Sequence, residues 1–326
     1  MSNSFLFSLF LGQPTWFWLI FLSIVITILV VDLGILNREA KEIGVRESLT
    51  LTLVYIIISL LFGLFVWHQM GADHAFNYYT GYVIEKSLSM DNLFVMAVIF
   101  SALSIPRKYQ HRVLFWGILG VIVLRGTMIS LGTAIVHEFE WVLYLFAIFL
   151  VVTGTKLVFT KDDEESHEED VLKNPAFQFL KKRFPLTGFH GQKFFVKIQS
   201  KKTGKMVLHM TPLFLALITI EIADVIFAVD SIPAIFAITT EPFIVYTSNI
   251  FAILGLRALF FSLSALMARF AYLKYAISLI LIFIGLKVFA PLFLDIEKVP
   301  ASISLSVTLI LLFGGMIISL MKTSKK

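Results

Sequence analysis

Long apolar runs alternate along this chain with short charged connectors, and the runs exceed what the helices of a soluble core need. Stretches able to cross a bilayer as helices, about 20 residues each, fall at about 15–36, 48–67, 76–104, 112–136, 141–160, 212–237, 243–267, 271–293 and 300–321. The pattern predicts an all-α, polytopic membrane protein with about nine transmembrane helices. Its expected organisation is two helices within 1–75, three in 76–160, a loop over 161–211, three helices in 212–293, and a last helix with a basic tail in 294–326. The first run lacks a preceding basic region, is too long for a signal-peptide core and ends without an Ala-x-Ala-like site. It is expected to be a retained helix.

The connectors predict sidedness. Of 27 Lys and Arg residues, 21 fall in alternate connectors: around Arg38 and Arg46, around Arg107 and Arg112, between Lys161 and Lys205, at Arg269 and Lys274, and in the tail from Lys322. The opposite side takes only Lys298, and Lys86, Arg125, Lys156, Arg257 and Lys287 lie inside spans. Because basic loops stay cytoplasmic, the N-terminus is expected outside and the C-terminus in the cytoplasm. The loop 161–211 is then cytoplasmic. Its acidic run Asp162–Asp170 reads as a solvated linker, with metal sensing as the sharper alternative. Segments 194–198 and 206–210 flank Lys201-Lys202-Thr203-Gly204-Lys205 and predict a hairpin packed under the membrane domain.

Composition agrees with the pattern: 58% hydrophobic against 15% charged residues is far from the soluble norm of about a quarter charged. The chain has no cysteine, which removes disulfides, thiolate ligands and cysteine nucleophiles together. A net charge of +5 is explained by the topology, so no nucleic-acid partner is expected.

Candidate chemistry lies where the apolar pattern fails. Glu85-Lys86-Ser87-Leu88-Ser89-Met90-Asp91-Asn92 and the segment from Glu221 through Asp224 and Asp230-Ser231 to Pro233 put five carboxylates inside predicted spans. A carboxylate at that depth costs roughly 2.5–3.5 kcal/mol and needs a partner, a wet cavity or a ligand. The two clusters also align. Each has an acid six residues before its Asp, Glu85 and Asp224. One helix later, Leu119–Arg125 matches Ile253–Arg257, and another helix later Gly154-Thr155-Lys156 matches Gly285-Leu286-Lys287. Units of three helices reverse direction from one to the next, so the pattern predicts inverted repeats. That architecture recurs in secondary transporters, which hold substrate near the midplane.

Acids six apart point about 120° apart on a regular helix, so the expectation is that both helices are broken or widened near Asp91-Asn92 and Asp230-Ser231, helped by Pro233 and by local distortion that Ser87, Ser89, Asn92 and Ser231 would stabilise. An all-oxygen set of carboxylates, Asn92, Ser87, Ser89 and Ser231 suits Mg²⁺, Ca²⁺ or Mn²⁺. Met90 as a soft ligand would favour Mn²⁺, although packing is the commoner role of such a methionine. The blander reading is that Arg125, Arg257, Lys86, Lys156 and Lys287 neutralise the five acids as structural pairs. An intramembrane aspartyl protease is disfavoured by the lack of a Gly-x-Gly-Asp pattern. A scaffold acting through soluble partners at the loop 161–211 is the other alternative.

The two acidic motifs, with Thr247-Ser248-Asn249-Ile250-Phe251-Ala252-Ile253-Leu254-Gly255-Leu256-Arg257, closely resemble the TerC family of integral membrane proteins, particularly its Alx-like members, from the first helix to the ninth. The resemblance implies an association with tellurium resistance, manganese export activity, kinship to LysE-type exporters and a bacterial inner membrane. It further implies an ion site formed by Glu85, Asp91, Asn92, Glu221, Asp224, Asp230 and Ser231, supported by Lys86, Arg125 and Arg257. The expectation is a carrier and not an enzyme, with no resident cofactor: an exporter of divalent metal, foremost Mn²⁺, coupled to proton or other cation exchange. No Gly-x-x-x-x-Gly-Lys motif is present to couple it to a nucleotide.

Overall fold

A computed structural model describes residues 4–31, 45–139, 141–159, 186–199, 206–263, 273–294 and 299–323. The acidic run 162–170, the Lys201–Lys205 turn and the last residues of the first and seventh apolar runs lie outside these. The helices are α1 (Thr15–Val31), α2 (Val45–Met70), α3 (Ala72–Ala102), α4 (Arg107–Glu138), α5 (Val142–Phe159), α6 (Pro212–Phe236), α7 (Pro242–Leu254), α8 (Leu256–Leu263), α9 (Leu273–Leu294) and α10 (Ala301–Thr323). A helical turn and a two-residue hairpin, β1 (Leu9–Phe10) with β2 (Gln13–Pro14), precede α1. A second hairpin pairs β3 (Phe195–Gln199) with β4 (Met206–Met210) antiparallel. Phe195 lies 4.2 Å, ring centre to ring centre, from Phe214 at the start of α6, which seats that hairpin against the helical body.

Among the described residues, seven helical segments are long and apolar enough to cross a membrane: α2, α4, α5, α6, α7 continued by α8, α9 and α10. The 17-residue α1 is apolar but shorter. At 31 residues α3 has ample length, but it carries Glu85, Lys86 and Asp91 in its middle. The protein is a polytopic all-α membrane protein, and the charged helix is its interior.

The packing is reciprocal. The acid-bearing α3 lies on α7, while the acid-bearing α6 lies on α4, the helix of Arg125; α3 and α6 also touch each other. Helices α5 and α9 cross closely through Gly154 and Gly285. A Cβ on Gly154 would stand 2.8 Å from the Ser278 carbonyl oxygen, and one on Gly285 would stand 2.7 Å from that of Ala147. Ala147 and Ser278 each precede their own glycine by seven residues, so the two contacts mirror each other. Small residues at a membrane crossing let backbones approach and gain dispersion contact where lipid offers no hydrophobic drive. Outside this centre, α1 buries Phe17, Trp18 and Phe21 against Phe62, Phe243 and Phe251. Tyr78 and Tyr79 tie α3 to α2 by donating to the carbonyls of Ser59 and Leu60 at 3.0 and 2.9 Å.

One expectation needs correction. Both acid helices run unbroken, α3 through Asp91-Asn92 and α6 through Asp230-Ser231. The polar side chains that were to distort them have other uses. Ser87 donates to the Val83 carbonyl one turn back at 2.7 Å, and Ser89 and Asn92 donate to carboxylates. Pro233 sits three residues before the end of α6, so the missing N–H weakens only the last turn. The interruption falls instead at Gly255, between α7 and α8. A Cβ there would come 2.6 Å from Lys86 Nζ, which donates to the Ala252 carbonyl at 3.1 Å.

Candidate functional site

The centre of the molecule is Arg125, near the middle of α4 and only 1% exposed. Its guanidinium binds Asp224 as a fork, Nε to Oδ2 at 3.0 Å and Nη2 to Oδ1 at 2.9 Å. Nη1 forms an ion pair with Glu85 and donates to Ser231 Oγ at 3.2 Å. Glu85 and Asp224 are each 3% exposed and come from α3 and α6, the two helices whose acids align in sequence. The two acids that no single straight helix could aim together meet because two different helices face one arginine. Buried ion pairs of this kind persist only when the remaining lone pairs are satisfied, and here they are. Asn249 Nδ2 donates to Glu85 Oε2 at 2.9 Å, Ser89 Oγ to Glu85 Oε1 at 3.2 Å, and Asn92 Nδ2 to Asp224 Oδ1 at 3.2 Å.

Glu221 is different. One turn before Asp224, it turns to α4 and lies over Gly120, where a Cβ would overlap its carboxylate. Both of its oxygens are buried and make no hydrogen bond among the described residues. Asn92 Oδ1 is likewise buried without a donor among them. Asn92 and Asp224 line a small cavity of about 10 Å³ between α3 and α6, closed by Val95, Met96, Ile99, Ile220, Ala223 and Phe227. That is close to the smallest space that holds one water-sized particle. Among the described residues no three His, Asp or Glu side chains converge as a metal cage, because Arg125 stands between Glu85 and Asp224.

The structure therefore gathers Glu85, Asn92, Asp224, Ser231 and Arg125 into one network and sets Glu221 beside it. Asp91, Asp230 and Arg257 lie on described helices, but their side chains are outside the described ones, as is that of Met90. Among the described side chains, Lys86 binds a backbone carbonyl and Lys287 Nζ donates to Ser304 Oγ at 3.1 Å on α10, and it is Arg125 that pairs with carboxylates of the two clusters. Asn249, fully buried on α7, is the site member that the sequence reading did not single out. Its signal was there: an amide after Thr247 and Ser248 in an otherwise apolar helix. Gly120, which makes room for Glu221, carried no signal of its own.

Comparison with known proteins places the chain among bacterial membrane proteins. A membrane protein of Rickettsia felis described as uncharacterized is 46% identical over 307 residues, 94% of this chain and 97% of that protein. An equally undescribed membrane protein of Myxococcus xanthus is 44% identical over 313 residues, 96% of this chain and 94% of its own length. A protein of Photorhabdus laumondii that bears the name "Putative membrane-bound redox modulator Alx" is 41% identical over 318 residues, 94% of this chain and 95% of that protein. No solved structure matches the chain. Residues 70–326 match the integral membrane protein TerC family, a stretch that holds every member of the Arg125 network, and the chain belongs to that family.

Proposed function

We propose that this protein is a secondary transporter that exports divalent metal ions, foremost Mn²⁺, from the cytoplasm across a bacterial inner membrane in exchange for protons or another cation. In this reading α1 and α3 also span, giving nine helices with the N-terminus outside. The segments 76–160 and 212–293 form inverted repeats, and the protein is a carrier with no catalytic role and no resident cofactor. The mirrored α5–α9 crossing and the exchange of acid and arginine helices between the halves support the repeat.

The observation that carries the reading is Glu221: a carboxylate buried without a hydrogen bond among the described residues, one turn from Asp224. An unpartnered buried acid costs several kcal/mol and persists where function requires it. The two acid-bearing helices carry five carboxylates in sequence, Glu85, Asp91, Glu221, Asp224 and Asp230, and of these Glu85 and Asp224 are held by Arg125. Asn92 Oδ1 adds a neutral oxygen, and an oxygen donor set suits Mn²⁺, Mg²⁺ or Ca²⁺. Thiol redox chemistry is closed to this chain, which has no cysteine, so a redox effect would reach the cell through the metal it moves. The test is cellular manganese, measured by mass spectrometry in cells carrying the wild type or Glu221→Gln, Asp91→Asn or Asp230→Asn. Each variant should insert normally and lose export. Normal efflux from all three would overturn the site.

A further inference from the structure

We infer that Arg125 is an internal counter-cation: it occupies the two symmetry-matched carboxylates, Glu85 and Asp224, whenever the cargo ion is absent from them, and must leave them for the ion to bind. This rests on the transport reading above. The geometry excludes sharing. Three of the guanidinium nitrogens bond the two carboxylates, with the Asp224 bonds at 2.9–3.0 Å, and a divalent ion at those oxygens would stand against a positive charge with no water between them. Two of the donors that hold the acids, Ser89 and Asn92, reach a carboxylate with no bond to Arg125. Asn249, whose Oδ1 accepts from Arg125 Nη1 at the long distance of 3.5 Å, donates to Glu85 at 2.9 Å, so the acids stay aimed at the centre when the arginine withdraws. Glu221 and Asn92 Oδ1 are oxygens beside the network that carry no proton donor, and they offer a first foothold for the ion.

The consequence concerns the carrier without cargo. A carrier must return through the membrane after release, and bare carboxylates facing each other across two helices would oppose the closed packing. Arg125 supplies the missing charge from within the chain, so the return costs fewer imported cations. Removing it should leave a carrier that moves when loaded and stalls when empty. It should also remove a competitor. If the site accepts an ion only in the minor population from which Arg125 has withdrawn, about 0.1–10%, apparent affinity rises by the inverse of that fraction, about 10- to 1,000-fold.

The experiment uses full-length protein in vesicles with radioactive Mn²⁺, and compares net efflux into metal-free buffer with exchange against Mn²⁺ on both sides. Arg125→Gln should lose net efflux, keep exchange, bind Mn²⁺ at least about tenfold more tightly, and show a larger Mn²⁺-induced rise in melting temperature than the wild type. Arg125→Lys, which keeps the charge but not the fork, should keep exchange and a reduced net efflux. It decides the matter if Arg125→Gln does not fold. Loss of exchange together with efflux in a folded variant that still binds Mn²⁺ would make Arg125 merely structural and overturn the inference. Net efflux equal to wild type would do the same. A wild type that neither binds nor moves Mn²⁺ would instead remove the transport reading on which the inference stands.

Discussion

The Arg125 network makes a quantitative prediction about stability that is independent of transport. Glu85→Gln keeps the side chain's size and most of its hydrogen bonds but leaves Arg125 with Asp224 alone. Breaking one half of a buried pair costs about 3–5 kcal/mol, because the remaining charge stays desolvated. The lower end applies to Glu85→Gln, since the fork to Asp224 survives. Asp224→Asn should cost more, because it breaks the two-pronged fork at 2.9 and 3.0 Å, leaving one acceptor oxygen and setting an amide NH2 against the guanidinium in place of the other. At about 2–4 °C per kcal/mol for a large domain, the two variants should melt about 6–20 °C below the wild type in detergent. The triple variant Glu85→Gln, Arg125→Met, Asp224→Asn removes every charge of the network and should recover most of the loss. That is because replacing a whole buried ion cluster by neutral groups is often neutral or stabilising. The assay is thermal unfolding of the purified protein, arranged as a double-mutant cycle. If Glu85→Gln melts within about 2 °C of the wild type, or if the triple variant is worse than the worst single, the network does not bear the charge described here.

Gly120→Ala should displace the Glu221 carboxylate and lower Mn²⁺ export at least about tenfold. Gly117→Ala, whose Cβ would lie 3.8 Å from the same oxygen, should export normally; equal effects in a transport assay would refute the placement of Glu221. Gly154→Ala and Gly285→Ala should each destabilise by about 1–3 kcal/mol, since both drive a methyl into a backbone carbonyl. Their double variant should cost less than the sum, because one displaced crossing relieves both contacts, and Gly314→Ala, with open space around it, serves as the control in thermal melts. Asn249→Leu should cost about 1.5–3 kcal/mol through the lost 2.9 Å bond to Glu85, read as a lower melting temperature. It should also reduce export, because the acid is no longer held.

Much of this was legible in the sequence. Apolar run length predicted helices at all the stretches where they are found, because a bilayer forces its spans to satisfy their own backbone. Charged residues in those runs pointed to the Arg125 network, since depth makes each of them costly. Asn92 and Ser231 were recognised as members by proximity along the chain. The conformation of the acid helices was not. Serine, asparagine and proline are read locally as helix breakers, and only the contacts of Ser89, of Asn92 Nδ2 and of Ser231 in the structure reveal that these groups bond other side chains and leave the helix intact.

Sequence alone thus determined the solvent of this protein, the place of its apolar helices and which residues are too polar for their depth. Those follow from transfer free energies that each residue carries with it. Only the tertiary structure decided the division of labour among the described acids: Glu85 and Asp224 to Arg125, Glu221 to no hydrogen-bond donor among the described residues. Pairing is set by which helix faces meet. That depends on small side chains such as Gly120, Gly154 and Gly285, whose part lies in what they leave room for and which therefore leave no mark in a pattern of charge or hydropathy.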